Sequence, residues 1–226
     1  MTNIIFTNEK PHVFQMQLII VSINSKYFIM IEIETLLQAG AAFKEYKAGE
    51  IIFKEGTTSN FYYQLVQGRV RWININDEGK EFLQVIINEG ESFGELPLFD
   101  NQPFAATAIA DTNIVIIRLL KSSFHQIIKE NSEIHFAFSK LLTQRLRFKF
   151  LILKEIANHN PENSISTLLN YFKENKKNIC TNCNQLKLTR QQIADMTGLR
   201  VETVIRTMRN MHDKGNLTIE KGKVYC

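Results

Sequence analysis

A chain of 226 residues exceeds one ordinary domain and suits two domains of unequal size, each able to bury its own core. With 44% hydrophobic and 22% charged residues it has the balance of a folded globular protein, which excludes a disordered or fibrous chain. The formal charge of +4 is unevenly placed: residues 1–159 carry 16 Lys and Arg against 17 Asp and Glu, whereas residues 160–226 carry 11 against 6. A basic last third favours a polyanion partner, because neutralising phosphates releases condensed counterions. A basic, well-solvated tail would show the same count, so charge alone leaves both readings open.

Residues 1–29 match neither periodic template, and a regular pattern begins at Met30 with Ile31-Glu32-Ile33-Glu34-Thr35-Leu36-Leu37. Either the natural start lies near Met30 or the segment is an ordinary N-terminal arm; the domain expected first is therefore an extension over 1–30. Its apolar stretches, Val13–Ile23 and Tyr27–Ile33, are broken by Gln15, Gln17, Ser22, Asn24, Ser25, Lys26 and Glu32, too short to span a bilayer. The three cysteines, Cys180, Cys183 and Cys226, in a chain with no recognisable signal peptide, predict a reducing cytoplasm without a disulfide framework.

From Gly49 to Arg118, glycines at 49, 56, 68, 79, 90 and 94 separate short β-rich runs: Ile51–Phe53, Phe61–Val66, Val70–Ile75, Phe82–Ile87 and Ile114–Ile117. That spacing predicts an antiparallel roll over 31–132, with Asn76-Asp77-Glu78-Gly79-Lys80 as its clearest hairpin tip. After Ser122 the period becomes helical, and no Gly or Pro interrupts Glu133 to Ile156. On this long helix, assigned to 133–158, one stripe holds Ile134, Phe138, Leu141, Phe148 and Ile152 with Arg145 among them; a second ridge holds Leu142, Leu146, Leu153 and Ile156. Two apolar faces suit a helix that packs on its own domain and pairs with a second helix. The first stripe, as Phe138, Leu141, Arg145, Phe148 and Ile152, is the expected dimer interface. Asn158-His159-Asn160-Pro161 ends the helix, since proline disfavours helical geometry before it.

Residues 159–226 form the expected DNA-binding domain. Thr189 and Gln192 make a T-x-x-Q capping box that starts a helix. Ala194 is small where a second helix must cross closely, Gly198 stands where the chain needs a left-handed turn, and Val204 fills the angle between helices, the steric skeleton of a helix-turn-helix. The second helix, about Val201–Lys214, is then the recognition helix. Glu202 and Arg206 share a face: a carboxylate can accept from cytosine N4 and a guanidinium can fork onto guanine O6 and N7. An ion pair between them on a solvated face is the competing reading. Arg200, Val201, Thr203 and Arg209, with Thr189 and Arg190 at the start of the first helix, complete the candidate DNA contacts. Leu217–Glu220 and Lys223–Tyr225 around Lys221-Gly222 read as a β wing. The fold class expected is α+β.

With those residues in place, the chain from about residue 31 onward resembles the Crp/Fnr superfamily of bacterial transcription regulators. Gly49-Glu50-Ile51-Ile52-Phe53-Lys54-Glu55-Gly56, Tyr62–Gly68, Asp77–Lys80 and Phe93-Gly94-Glu95-Leu96-Pro97-Leu98-Phe99 look like its cyclic-nucleotide-binding roll, and residues 189–209 like its helix-turn-helix. The resemblance implies a homodimer formed through the long helix, a pseudo-palindromic DNA site, RNA polymerase as a partner, and an effector in the roll near Gly94, Glu95, Leu96, Phe104 and Ala105. In the cyclic AMP receptor a Gly-Glu pair binds ribose and a following Arg-Ser holds the phosphate. Gly94 and Glu95 match; Phe104 and Ala105 stand where Arg-Ser would, which argues against a cyclic nucleotide because a buried phosphate needs its cation. Ala106 and the inward residues of Phe82–Ile87 extend that apolar floor. No cysteine precedes Cys180, which excludes the iron–sulfur sensor of the oxygen-sensing branch. Val201-Glu202-Thr203-Val204 resembles the Fnr branch, implying a TTGAT-like or TTGAC-like half-site, with Ile205 departing from its serine.

Cys180-Thr181-Asn182-Cys183 has the spacing of half a zinc site or of a redox pair, although a strong zinc signature needs two such pairs, and incidental turn cysteines fit equally. None of His12, His125, His135, His159 and His212 is paired in sequence with a second ligand; haem on His125 or His135 is the one such alternative, and no metal or cofactor is predicted. No nucleophile elbow, P-loop, H-E-x-x-H or dinucleotide fingerprint occurs, so the chain is read as a DNA-binding regulator and not an enzyme. A protein-interaction module whose helix-turn-helix no longer reads bases is the alternative.

Overall fold

The computed structural model describes residues 29–226, and the expectation of an N-terminal extension falls almost wholly outside them. The described elements are α1 (Ile33–Gln38), β1 (Ala42–Tyr46), β2 (Ile51–Phe53), β3 (Phe61–Gln67), β4 (Val70–Ile75), β5 (Glu81–Ile87), β6 (Ser92–Phe93), α2 (Leu96–Asp100), β7 (Thr107–Ala110), β8 (Ile114–Leu120), α3 (Lys121–Glu130), α4 (Ser132–Asn158), α5 (Pro161–Glu174), α6 (Arg190–Thr197), α7 (Val201–Asp213), β9 (Thr218–Glu220) and β10 (Lys223–Tyr225). One four-stranded sheet has the order β1-β8-β3-β6, a second the order β2-β7-β4-β5, and β9 pairs with β10. The class is α+β as expected.

By contacts the described chain divides into two compact units. The first takes the residues up to Val70 with Ile87–Phe104 and Ile109–Ile134; the second takes Arg71–Ile86, Ala105–Ala108 and His135–Cys226. In the first unit β3 lies between β8 and β6, so Tyr62, Tyr63, Leu65 and Val66 are all buried and the strand reads as a continuous apolar run. Gln64, buried among them, keeps its amide satisfied: Oε1 accepts from the N–H of Ile31 (3.0 Å) and from Tyr62 Oη (2.6 Å), and Nε2 donates to the carbonyl of Ile31 (2.9 Å). These bonds tie the buried Met30-Ile31 segment to the sheet.

In the second unit the β4–β5 hairpin closes at Asn76–Lys80, where Asn76 Oδ1 accepts from the N–H groups of Glu78 (3.1 Å) and Lys80 (2.8 Å) and Gly79 has φ 77°. Helix α4, whose first residues fall in the first unit, starts on Asn131, whose Oδ1 accepts from the N–H groups of Glu133 and Ile134 (both 3.1 Å). It ends at Asn158. His159 turns left-handed (φ 52°), and Asn160 then caps α5, its Oδ1 accepting from Glu162 N–H (3.0 Å) and Asn163 N–H (3.2 Å) with Pro161 at the first helical position. Phe148 of α4 rests on Tyr171 (centroids 4.5 Å apart) and Phe172 (6.3 Å) of α5.

Candidate DNA interface and effector pocket

The helix-turn-helix is α6 and α7. Both halves of the predicted capping box form: Gln192 N–H donates to Thr189 Oγ1 and Thr189 N–H donates to Gln192 Oε1, each at 3.1 Å. Gly198 closes α6 with φ 71°, a left-handed conformation that any side chain would strain. Ala194 and Val204 are fully buried, as the crossing requires, and Ile193, Met196, Met208 and Met211 join Ile165, Leu168, Leu169 and Phe172 of α5 in the surrounding core. The orientation of α7 is thereby fixed from one side.

That packing leaves the other side of α7 to solvent. Arg200, Glu202, Arg206 and Arg209 are exposed, Val201 and Thr203 half-buried, and Ile205 exposed beside them. Among the described residues Glu202 and Arg206 form no ion pair with each other, and neither is held by another side chain. Thr189 is exposed and Arg190 half-buried at the start of α6. Beyond α7, Lys214 pairs with Glu162 of α5 (2.8 Å), and the wing turns through Lys221 (φ 46°) and Gly222 (φ 78°).

On α4 the structure turns Phe138, Leu141, Phe148 and Ile152 inward, all buried within the chain, and seats the Arg145 guanidinium over the Trp72 ring, 5.6 Å from its centroid. This first stripe is therefore used by the chain's own core. The second ridge is outward: Leu146 is 56% exposed and Leu153 63%, with Phe150 (63%) and Phe136 (73%) on the same side. Phe136 and Phe150 were not singled out in the sequence; the signal for them is a strict alternation of three and four running Phe136, Ser139, Thr143, Leu146, Phe150, Leu153, Ala157.

In the roll, Gly94, Glu95 and Phe104 come together with Phe53. Phe104 is buried and stacks on Phe53 with ring centroids 3.8 Å apart and planes 8° apart; Phe53 also meets Tyr63 (5.4 Å) and Phe93 (5.9 Å). A Cβ on Gly94 would lie 2.7 Å from Phe53 Cζ and 3.0 Å from Phe104 Cε1. Glu95 is fully buried, whereas Leu96 is partly exposed at the start of α2. Ala105 is exposed, its carbonyl accepting from Asn74 Nδ2 (2.8 Å). Phe104, at the position where the resemblance puts a phosphate-binding Arg, thus presents a buried ring rather than a cation, and these residues do not fit a cyclic phosphate. His125 donates a ring N–H to the carbonyl of Leu98 (2.6 Å), and His135 is exposed. Among the described residues no group of three His, Cys, Asp or Glu could hold a metal ion, and no helix is long and apolar enough to cross a membrane.

Two domain families match the chain: "Cyclic nucleotide-binding domain" over residues 43–131 and "Crp-like helix-turn-helix domain" over residues 165–225. It is 29% identical over 181 residues to the cAMP-activated global transcriptional regulator CRP of Salmonella typhimurium, covering 79% of this chain and 86% of that protein. Its fold is similar to FixK2 from Bradyrhizobium japonicum (TM-score 0.69, 19% identity, covering 82% and 91% of the two chains). It is similar also to the c-di-GMP responsive global regulator CLP of Xanthomonas campestris (TM-score 0.70, 20% identity, 85% and 96%). With the order of roll, long helix and helix-turn-helix shared throughout, the chain belongs to the Crp/Fnr superfamily of DNA-binding transcription regulators, a family of transcription factors and not of enzymes.

Proposed function

We propose that this chain acts as a homodimeric, sequence-specific transcription regulator whose α7 reads an Fnr-like TTGAT or TTGAC half-site in the major groove of a pseudo-palindrome. The observation that carries the reading is the exposed face of α7, on which Glu202 and Arg206 stand one turn apart without pairing to each other. Two opposite charges left apart at that spacing, on a helix braced from behind by a capping box and a buried crossing, match an acceptor for cytosine N4 and a fork for guanine. Val201 flanks them, while Arg200, Thr203 and Arg209 are the candidates for phosphate or adjacent base contacts, with Thr189 and Arg190 at the start of α6 completing the set. The surplus of basic residues after 159 supports the same partner.

The dimer seam is the outward ridge of α4, Phe136, Leu146, Phe150 and Leu153, rather than the stripe around Phe148. A strict heptad with four exposed large apolar side chains has the form of a parallel two-stranded coiled coil. The domains are the roll over 31–132, α4, and the winged helix-turn-helix over 159–226, with RNA polymerase as the downstream partner and the cytoplasm as the compartment. A signal other than a cyclic nucleotide is the reading for the roll, supported by Phe104, which stands where the resemblance puts the phosphate-binding Arg and stacks on Phe53.

Selection of bound sequences from a random duplex pool tests the reading. Enrichment of inverted TTGA-containing half-sites is expected; enrichment of no sequence, or of unpaired sites alone, would contradict it.

A further inference from the structure

The connection from α5 to α6 carries two thiols that the DNA-binding reading leaves unused. Residues Cys180 to Asn184 wrap a single turn: Asn184 N–H donates to the carbonyl of Cys180 (2.8 Å), and Asn184 takes φ 56° to leave it. Residues three apart on one helical turn bring their Cβ atoms to about 5–6 Å, within the reach a disulfide needs after a small rotation. The thiol of Cys183 donates to the Cys180 sulfur, and the N–H groups of Asn182 and Cys183 point at the same atom. These donors, with Lys187 nearby, hold the Cys180 thiol below its ordinary range. Cys180 is half-buried and Cys183 exposed, so a small reagent has access to the pair. The third cysteine differs: Cys226 is half-buried and burial pushes its thiol up.

The turn is also bonded to the wing. Cys180 N–H donates to the carbonyl of Gln185, Leu186 N–H to the carbonyl of Val224 (both 2.8 Å), and Cys226 N–H to the carbonyl of Asn184 (3.1 Å), while Gln185 bridges Tyr225. Residues 184–186 thus lie along β10, and any change in the turn's shape reaches the wing through two backbone bonds, from Leu186 to Val224 and from Cys226 to Asn184.

We propose that Cys180 and Cys183 form a reversible dithiol–disulfide site, oxidised by a low-molecular-weight disulfide such as that of glutathione, and that closing it alters the wing. The Cys180 thiolate attacks one sulfur of the oxidant, forming a mixed disulfide and releasing one thiolate. The Cys183 thiolate then attacks the Cys180 sulfur, closing the internal disulfide and releasing the second thiolate; the two protons leave on the two thiols released. The protein loses two electrons and the oxidant gains them. A zinc role would need further ligands, and among the described residues no third one is grouped with this pair.

The test equilibrates the full chain in glutathione buffers from fully reduced to fully oxidised, quenches with acid, alkylates, and locates labelled cysteines by peptide mass. Cys180 and Cys183 are expected to lose alkylation together, with loss of the two thiol hydrogens and recovery on adding dithiothreitol. Cys183→Ser should stall as a glutathione adduct on Cys180, and Cys226→Ser should leave the switch intact. Hydrogen exchange at the Leu186 and Cys226 amides should change on oxidation. Full alkylation of both thiols in the oxidised buffer, pairing with Cys226, unchanged exchange at both amides, or chelator-sensitive protection in the reduced buffer would each overturn the proposal. None of these outcomes depends on DNA, so its failure is separate from that of the DNA-binding reading.

Discussion

Phe104 lies flat against Phe53, centroids 3.8 Å apart, and the pair presses on the backbone of Gly94 where a Cβ would have no room. An Arg at the position of Phe104 would be the natural phosphate ligand; the aromatic stack makes that corner part of the hydrophobic core. Phe104→Ala should cost about 3–5 kcal/mol of stability, as expected for removing a buried ring, read from urea unfolding. Calorimetry with cyclic AMP should show no binding by the unaltered protein. Saturable binding of cyclic AMP, or a near-neutral Phe104→Ala, would show that the stack does not define the site.

Arg206 projects from α7 without a partner, so its removal should leave folding nearly untouched, within roughly 0.5 kcal/mol. Binding to the preferred duplex should weaken by about 1–3 kcal/mol with relaxed specificity at one base pair. Equal losses on every duplex would instead assign Arg206 to phosphate contact.

The two ridges of α4 predict opposite failures. Leu153→Glu or Leu146→Glu should leave a folded monomer by light scattering, since both side chains face outward. Phe148→Ala should lower stability by about 3–5 kcal/mol through loss of packing against Tyr171 and Phe172. A dimer that survives both glutamate substitutions would place the interface elsewhere.

Lys149 donates to the carbonyl of Gln84 (2.9 Å) and to its side chain, and burial, followed by the nearby Arg145, lowers its ammonium to about 8. The unfolded chain, with a value of about 10.4, holds this proton over a window where the folded chain has lost it. Stability therefore rises with pH between about 8 and 10 from this group, and at neutral pH the charged folded form carries a penalty of about 1–3 kcal/mol. Lys149→Met should flatten that rise when unfolding is measured across the window, and an unchanged profile would contradict it.

Thr189→Ala removes the oxygen that Gln192 N–H uses and should destabilise the DNA-binding half by about 1 kcal/mol. Thr189→Ser, which keeps the acceptor, should restore most of that loss in the same thermal melts.

What could be read from the sequence followed from local chemistry. The T-x-x-Q box, the Ala194–Gly198–Val204 spacing, the Asn76–Lys80 hairpin and the stop at Asn158–Pro161 each depend on a few adjacent residues and recur in the structure as expected. Strands β1, β6 and β7 went unread for physical reasons. β1 is an edge strand carrying Lys44 and Glu45, β6 has two residues, and β7 is rich in alanine, so none shows an alternating apolar pattern. Which ridge of α4 faces inward was likewise not local: Phe148 and Leu153 are both apolar, and only the presence of Tyr171, Phe172 and Trp72 selects between them. In the roll, Phe104 was legible as a missing cation, but its stacking on Phe53, distant in sequence, was not.

The most direct measurement is fluorescence anisotropy of the purified protein on a duplex bearing two inverted TTGAT half-sites and on a scrambled duplex, across a salt series and with cyclic AMP added or withheld. Tight, salt-dependent and sequence-selective binding that cyclic AMP leaves unchanged is the predicted result. Equal binding to both duplexes, or selectivity that emerges only with cyclic AMP, would contradict it.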